Sequence, residues 1–197
     1  MRALHLTDVQ QLSKEAPVDL AFVCVKSYDT AWAATLIAQY LVSGGAIVSL
    51  QNCMNEETIA GIVGWGKTLG SIASLISVEL SEPGHVHRGI RKGGAAHTVF
   101  RVGEVHGRAT KRAKEVCRLV GYSDSAIVTD NLWGERWSKL VANSMQNGLS
   151  ACTGSLEMRW CRTTLSGTSR HASAARQFAS VRRWASRSRR SCTSNRR

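Results

Sequence analysis

The sequence lacks the features of several protein classes. Its 197 residues contain two prolines, its six cysteines include no C-x-x-C pair, and nothing near its start resembles a secretory leader. We therefore expect no disulfide framework and predict a reducing, cytoplasmic location. Residues 30–55 carry no formal charge, but Gly44 and Gly45 divide this stretch, which favours a helix, a turn and a buried strand over a membrane span.

The positive charge is concentrated at one end of the chain. Residues 155–197 contain eleven Arg, one Glu and no Lys, whereas the formal net charge of the whole sequence is +12. The remaining residues are therefore nearly neutral. We interpret the Arg- and Ser-rich tail as the product of a shifted reading frame that does not fold. The alternative is a basic nucleic-acid-binding module, which predicts steeply salt-dependent binding that disappears when the tail is removed.

The first half of the chain has the pattern of a βαβ unit. A continuous apolar run, DLAFVCV at 19–25, is typical of a buried parallel strand. Apolar residues at helical spacing follow in TAWAATLIAQYL at 30–41, which we expect Gly44 and Gly45 to terminate. A second buried strand, AIVSL, is predicted at 46–50.

Further elements follow the βαβ unit. A helix is predicted over 55–63 with Asn55 as its cap, and TLGSIASLISVEL and HTVFRVGEV are predicted strands. Residues 108–122 have the spacing of an amphipathic helix, and residues 131–151 that of a longer helix. The inward face of the amphipathic helix is predicted to consist of Ala109, Ala113, Val116, Cys117 and Val120. The fold class is α/β, a partial Rossmann-like, doubly wound parallel sheet that leads into the start of an all-α domain.

A phosphate-binding motif is present in GIVGWGKTLG. Gly61, Gly66, Lys67 and Thr68 form a complete G-x-x-x-x-G-K-T, which cradles nucleotide phosphates when a strand leads into it and a helix follows. NEETIAGIV is a better helix start than a buried strand, so we expect the match to be accidental. A P-loop nucleotide-binding protein remains the alternative.

Metal binding is not predicted. His85 and His87 would lie on one face of a strand, but no third ligand is evident nearby.

Polar residues converge at two places. Lys139, Asn143 and Asn147 lie at i, i+4 and i+8 of the last helix, and a drift of about 40° per step keeps them on one face. Lys26 follows the first buried strand, and Asn52 the second. Ligands of open parallel sheets bind outside the carboxyl ends of the strands, so both residues are candidates for a cofactor crevice.

Four motifs in this order, VCVKSYDT, IVSLQNCMNEE, SEPGHV and LWGERWSKLVANSMQNGLSA, resemble the ketopantoate reductase (2-dehydropantoate 2-reductase) family over residues 18–154. The resemblance implies an NADPH-dependent reduction of the 2-keto group of ketopantoate to pantoate, in pantothenate and coenzyme A biosynthesis. A 2-keto acid is then the partner. Binding to nucleic acid or to a membrane is not expected, and a homo-oligomer is left open.

The resemblance also implies site residues. Lys139 matches the catalytic lysine, and Asn143 and Asn147 match amides that hold substrate. Lys26 and Asn52 match residues at the nicotinamide end of the cofactor, and Asn52 also touches substrate. An ammonium suits the catalytic role because it stabilises the charge that builds on the carbonyl oxygen and then delivers a proton.

The resemblance divides the chain into three parts. Residues 1–125 are expected to form an incomplete NADP-binding domain without its first βαβ unit and its glycine-rich turn. Residues 126–154 are expected to form the first helix of the helical substrate domain, and residues 155–197 the tail. Cys53 stands where the family more often has Gly, which predicts a less adaptable backbone beside the cofactor. We expect this chain to be an inactive or unstable fragment.

Overall fold

Seven strands and four α-helices lie within residues 4–153, the part of the chain that the computed structural model describes. The strands are β1 (Val18–Val23), β2 (Leu41–Ser49), β3 (Thr68–Ala73), β4 (Val78–Glu82), β5 (His85–Arg88), β6 (Phe100–Glu104) and β7 (Ala126–Val128). The α-helices are α1 (Thr30–Ala38), α2 (Glu56–Val63), α3 (Lys111–Gly121) and α4 (Leu132–Thr153). Turns of 3-10 helix lie at Leu6–Lys14, Ser27–Asp29 and Trp65–Lys67. The predicted α/β class is confirmed.

One sheet of five strands organises the described residues, in the order β1-β2-β3-β6-β7. β1, β2 and β3 run parallel, as predicted for a Rossmann-like sheet, and β7 runs parallel to β6. β6 is antiparallel to β3, which is an exception within the predicted parallel sheet. The reason lies in the connection: after β3 the chain forms the β4–β5 hairpin and returns directly into the neighbouring strand, without a crossover helix.

The boundary between α1 and β2 differs from the prediction. α1 ends at Ala38, and β2 begins at Leu41 and runs through Gly44 and Gly45. A Cβ atom on Gly45 would lie 3.0 Å from the carbonyl oxygen of Val18, where the register between β1 and β2 shifts. The glycine therefore allows a close approach of two strands and does not terminate the helix.

Helices cover both faces of the sheet. On one face, α1 and α2 pack Ala34 and Ile59 against the strand residues Val23 and Ile47. On the other face, α3 buries its predicted inward residues Ala113, Val116 and Val120, which pack with sheet residues in a second cluster. Apolar burial on two faces explains why the strand sequences are continuous apolar runs.

The first turn of α3 corrects one predicted core residue. Ala109 is exposed, because it precedes a helix that begins at Lys111. The hydroxyl of Thr110 caps this helix by accepting a hydrogen bond from the backbone N–H of Ala113 at 3.1 Å. Cys117, also predicted to face inward, is half-buried.

Two buried carboxylates connect segments that are distant in sequence. Glu104 accepts hydrogen bonds from Arg112 and from the hydroxyl of Thr110. Burial would raise the pKa of Glu104, but these hydrogen bonds outweigh it and lower the pKa below its ordinary value. Asp124 pairs with Arg88 and accepts the backbone N–H of Gly93 at 2.9 Å. Burial again opposes the shift, and the backbone and Arg88 hydrogen bonds hold the pKa of Asp124 well below its usual range.

Proximity between α-carbons divides the chain into two compact units, the first ending at Leu132 and the second starting at Trp133. The predicted tail, residues 155–197, lies outside the described residues. The predicted domain limits at 125 and 154 stay predictions. No helix within residues 4–153 has both the length and the apolar character needed to cross a membrane.

Candidate functional site

Lys26 and Asn52 lie at one edge of the sheet. β1 and β2 are neighbouring parallel strands, and Val23, at the end of β1, is in register with Ser49, at the end of β2. Lys26 follows β1 and Asn52 follows β2, and both residues are exposed. The prediction that both residues follow the carboxyl ends of adjacent strands is confirmed, and this edge is where open α/β sheets bind ligands.

Gln51 joins the loop after β1 to the loop after β2. Its side-chain amide donates hydrogen bonds to the carbonyl oxygen of Val25 and to the hydroxyl of Thr30, both at 2.8 Å. Its carbonyl oxygen accepts the hydroxyl of Ser49 at 3.3 Å. Gln51 is 5% exposed, so these bonds form where water competes little.

A second set of hydrogen bonds fixes the backbone of Asn52. The carbonyl oxygen of Asn52 accepts the side-chain amide of Asn55 at 2.8 Å and the hydroxyl of Ser27 at 3.4 Å. The amide of Asn55 also donates to that hydroxyl at 3.3 Å. Asn55 occupies the predicted N-cap position of α2, but its side chain makes no capping hydrogen bond. The side chain binds the loop instead.

The side chains of Lys26 and Asn52 have polar ends that are available to a ligand. Among the described residues, neither the Lys26 ammonium nor the Asn52 side-chain amide has a hydrogen-bond or ion-pair partner. The backbone beneath them is fixed, since the N–H of Asp29 donates to the carbonyl of Lys26 at 2.9 Å. A donor cation and a carboxamide are therefore presented from an ordered pair of loops.

Cys53 makes the turn that follows Asn52. Its φ of 66° lies in the left-handed region, which glycine adopts without the steric conflict of a Cβ atom. The cysteine is exposed and not in a disulfide. Cysteine was predicted to make the backbone at this position less adaptable than glycine would. The observed φ of Cys53 is indeed one that favours glycine.

The three predicted residues of the last helix share one continuous element. α4 contains Lys139, Asn143 and Asn147 without a break, so their spacing of four places them along one stripe. Lys139 and Asn143 are half-buried, and Asn147 is exposed. The side-chain amides of Asn143 and Asn147 have no hydrogen-bond partner within the described part of the chain.

The geometry contradicts the P-loop alternative. Gly61 lies in α2, Lys67 ends a 3-10 turn, and Thr68 begins β3, so a helix leads in and a strand follows. This order is the reverse of the one that places a phosphate on a helix N-terminus. The Thr68 hydroxyl is buried and donates to the carbonyl of Gly64 at 3.0 Å, so it does not face a magnesium ion.

The histidine pair lies on β5. His85 and His87 are both exposed there. Residues 4–153 contain no group of three or more His, Cys, Asp or Glu side chains placed to hold a metal ion.

The contacts of Gln51 were not predicted from the sequence, and Asn55 was predicted only as a helix cap. The signal was present: Gln51, Asn52 and Asn55 are polar residues between a buried strand and a helix, in a stretch without formal charge. Their partners, Val25, Thr30 and Ser27, lie more than twenty residues away in the chain.

Comparisons with known proteins agree on one relationship. Residues 2–98 match the family described as Ketopantoate reductase PanE/ApbA. A curated 2-dehydropantoate 2-reductase of Archaeoglobus fulgidus is 33% identical over 143 residues, which cover 71% of this chain and 44% of that protein. The crystal structure of 2-dehydropantoate 2-reductase from Geobacter metallireducens GS-15 is 32% identical, with a TM-score of 0.59, over 70% of this chain and 44% of that one.

This chain spans less than half the length of either of these two relatives. A D-mandelate dehydrogenase solved with NADH is similar in fold, with a TM-score of 0.61 at 15% identity over 83% of this chain and 57% of that one.

Proposed function

Because the chain belongs to the ketopantoate reductase family, we propose that it forms part of an oxidoreductase that reduces the 2-keto group of ketopantoate to pantoate with NADPH. The observation that carries this proposal is the presentation of Lys26 and Asn52, with unpartnered polar ends, from two hydrogen-bonded loops at the carboxyl edge of parallel strands. The reaction belongs to the synthesis of pantothenate and coenzyme A.

The residues at this edge fit the nicotinamide end of a dinucleotide. A ribose hydroxyl or phosphate oxygen accepts a hydrogen bond from an ammonium such as that of Lys26, and a carboxamide pairs with donors and acceptors such as those of Asn52. When bound, the cofactor supplies the hydride. Lys26 and Asn52 would bind and orient it.

Lys139 is proposed as the catalytic residue. As the carbonyl carbon of the substrate is reduced, negative charge builds on its oxygen, and an ammonium within hydrogen-bond reach stabilises that charge and then donates a proton. Asn143 and Asn147, one and two helical turns further along α4, would bind the carboxylate and hydroxyl of the substrate. Asn52 would contact substrate as well as cofactor.

Three further statements belong to the proposal. The substrate is a 2-keto acid, the location is the cytoplasm, and the assembly is left open to a homo-oligomer. The expectation that this chain alone is an inactive fragment stays a prediction. Consumption of NADPH at 340 nm that depends on added ketopantoate would contradict it.

A direct test uses the half of the cofactor that this edge would receive. Reduced nicotinamide mononucleotide is titrated into the isotope-labelled chain, and amide chemical shifts are followed by NMR. We expect saturable shifts at Lys26 and Asn52 in the millimolar range, and a dissociation constant at least fivefold higher in Lys26→Ala. Lys67→Ala is the matched control, because Lys67 lies in the turn between α2 and β3. Shifts that are absent, or equal in both variants, would refute the proposed site.

A further inference from the structure

Four polar side chains form a connection between the loops that carry Lys26 and Asn52. We call Ser27, Thr30, Gln51 and Asn55 the loop clasp. We propose that Gln51 and Asn55 are positioning residues, which hold the two loops as one rigid unit and thereby fix the direction of the Lys26 and Asn52 side chains. That those two side chains meet a nicotinamide cofactor rests on the proposed function.

Gln51 provides the central contact of the loop clasp. Both of its donor contacts reach across from the second loop, one to the carbonyl of Val25 in the first loop and one to the hydroxyl of Thr30, the first residue of α1. Its oxygen is bound on its own strand by Ser49. An apolar side chain of equal size would leave the carbonyl of Val25 without this donor in a region that is largely closed to water, which is unfavourable. The bonds therefore favour one relative position of the two loops.

The side chain of Asn55 forms hydrogen bonds with the loop and not with the helix that it precedes. An asparagine at an N-cap normally accepts a backbone N–H of the first helical turn, which stabilises the helix. Here the side chain makes no such bond and donates instead to the carbonyl of Asn52 and the hydroxyl of Ser27. A purely structural role in α2 would be met better by the capping geometry.

These contacts determine how Asn52 is presented. Its carbonyl oxygen is bound from two sides, by Asn55 and by Ser27, so the peptide plane after Asn52 has a fixed orientation. The left-handed turn at Cys53 then leads the chain away from the loop. A loop backbone that is already ordered before a ligand binds loses less conformational entropy on binding, so the loop clasp preorganises the site.

The test measures local opening without any cofactor. Amide hydrogen exchange is followed by mass spectrometry in peptides that cover residues 24–30 and 50–56, and α3 serves as an internal reference. In Gln51→Met we expect exchange to accelerate about tenfold in both peptides and to remain unchanged in α3, because two donor contacts between the loops are lost. Asn55→Ala gives the same test if Gln51→Met does not fold.

Two controls separate positioning from general destabilisation. Thr68→Val removes another buried hydroxyl that forms a hydrogen bond, but outside the loop clasp, and should leave both loop peptides unchanged relative to α3. Thr30→Val should loosen the loops as Gln51→Met does, whereas Thr30→Ser, which keeps the acceptor hydroxyl, should restore the protection of the wild type.

Each outcome decides the proposal. Hydrogen exchange that stays at the wild-type level in Gln51→Met, or that rises equally in α3, overturns it.

A second experiment repeats the titration with reduced nicotinamide mononucleotide on wild type and Gln51→Met. If the wild type does not bind, the proposed function fails and the exchange data alone decide on the loop clasp. If the wild type binds, we expect at least a fivefold weaker affinity in Gln51→Met, and equal affinity with loosened loops overturns the positioning role.

Discussion

The carboxylate of Glu104 accepts two hydrogen bonds from the guanidinium of Arg112, at 2.8 Å from Nε and 2.7 Å from Nη2. The Glu104 side chain is fully buried, and the Arg112 side chain is 34% exposed. A third donor of the same guanidinium reaches the carbonyl of Gly66. Arg112 thus joins the end of β6, the first turn of α3 and the turn before β3.

Removal of the Arg112 guanidinium is expected to destabilise the fold strongly. Arg112→Met leaves the buried Glu104 carboxylate without its principal donor, and breaking such a pair from one side lowers the free energy of unfolding by about 3 kcal/mol. Arg118→Met is the matched control on the same helix. Arg118 pairs with Glu115, and both side chains are more than half exposed, so its loss should change the stability far less than Arg112→Met does. Urea unfolding followed by circular dichroism measures both, and equal losses would contradict the assignment.

Acid is expected to destabilise the protein through Glu104 and Asp124. The pKa of each group is lower in the folded chain than its ordinary value. The unfolded chain therefore binds more protons, and the stability that these carboxylates contribute is complete above the unfolded-state pKa of about 4 and is lost as pH falls toward the folded-state pKa. Asp124→Asn should flatten this loss between about pH 5 and pH 2.5 in thermal unfolding. Parallel pH curves for variant and wild type would rule out the role of Asp124.

A glycine at position 53 is expected to stabilise the chain. Cys53 has a φ of 66°, where a Cβ atom is unfavourable by about 1 kcal/mol. Cys53→Gly removes that atom, so the free energy of unfolding should rise by about 0.5 to 1 kcal/mol. Cys53→Ala keeps the Cβ atom and removes only the thiol, so it should bring no gain. Differential scanning calorimetry of the three proteins is the measurement, and a gain in both variants would point to the thiol.

Two glycines are expected to respond oppositely to the same substitution. A Cβ atom on Gly70, in β3, would lie 2.5 Å from Oε1 of Glu56 and 2.7 Å from Cδ1 of Leu132. Gly70→Ala should therefore lower the free energy of unfolding by about 3 kcal/mol through overpacking. Gly61 lies in α2, where an added Cβ would meet no atom within 4 Å from outside its own helical backbone among the described residues. Gly61→Ala should raise stability by about 0.5 to 1 kcal/mol. Urea midpoints that shift in the same direction for both would refute this packing.

Local patterns in the sequence were sufficient for most elements. DLAFVCV and the helical spacing of 131–151 predicted β1 and α4, because apolar periodicity records which side of an element is buried. The start of β2 was predicted wrongly, because a pair of glycines is typical of a helix stop. The close approach of Gly45 to Val18 depends instead on a strand more than twenty residues away. The antiparallel direction of β6 could not be read from its own residues for the same reason.

The sequence predicted the positions of Lys26 and Asn52 after two neighbouring strands but not the buried contacts beneath them. The two positions were predictable because the end of a strand is visible in the sequence. Gln51 was not found, because its role consists of contacts with Val25 and Thr30 that only the folded chain brings together. The match to a P-loop failed for a related reason: four fixed letters specify a motif, but the order of helix and strand around Thr68 decides its chemistry.

The direction of β6 also separates two ends of the molecule. β6 is antiparallel to β3, and its last residue, Glu104, pairs with Leu69, which pairs in turn with Val48, one residue before the end of β2. The segment after β6 therefore follows a strand that runs away from the edge that carries Lys26 and Asn52. Arg108 in that segment is exposed. A biotin acceptor peptide inserted beside Arg108 would tether the protein to a sensor chip through a segment that contains none of the candidate site residues.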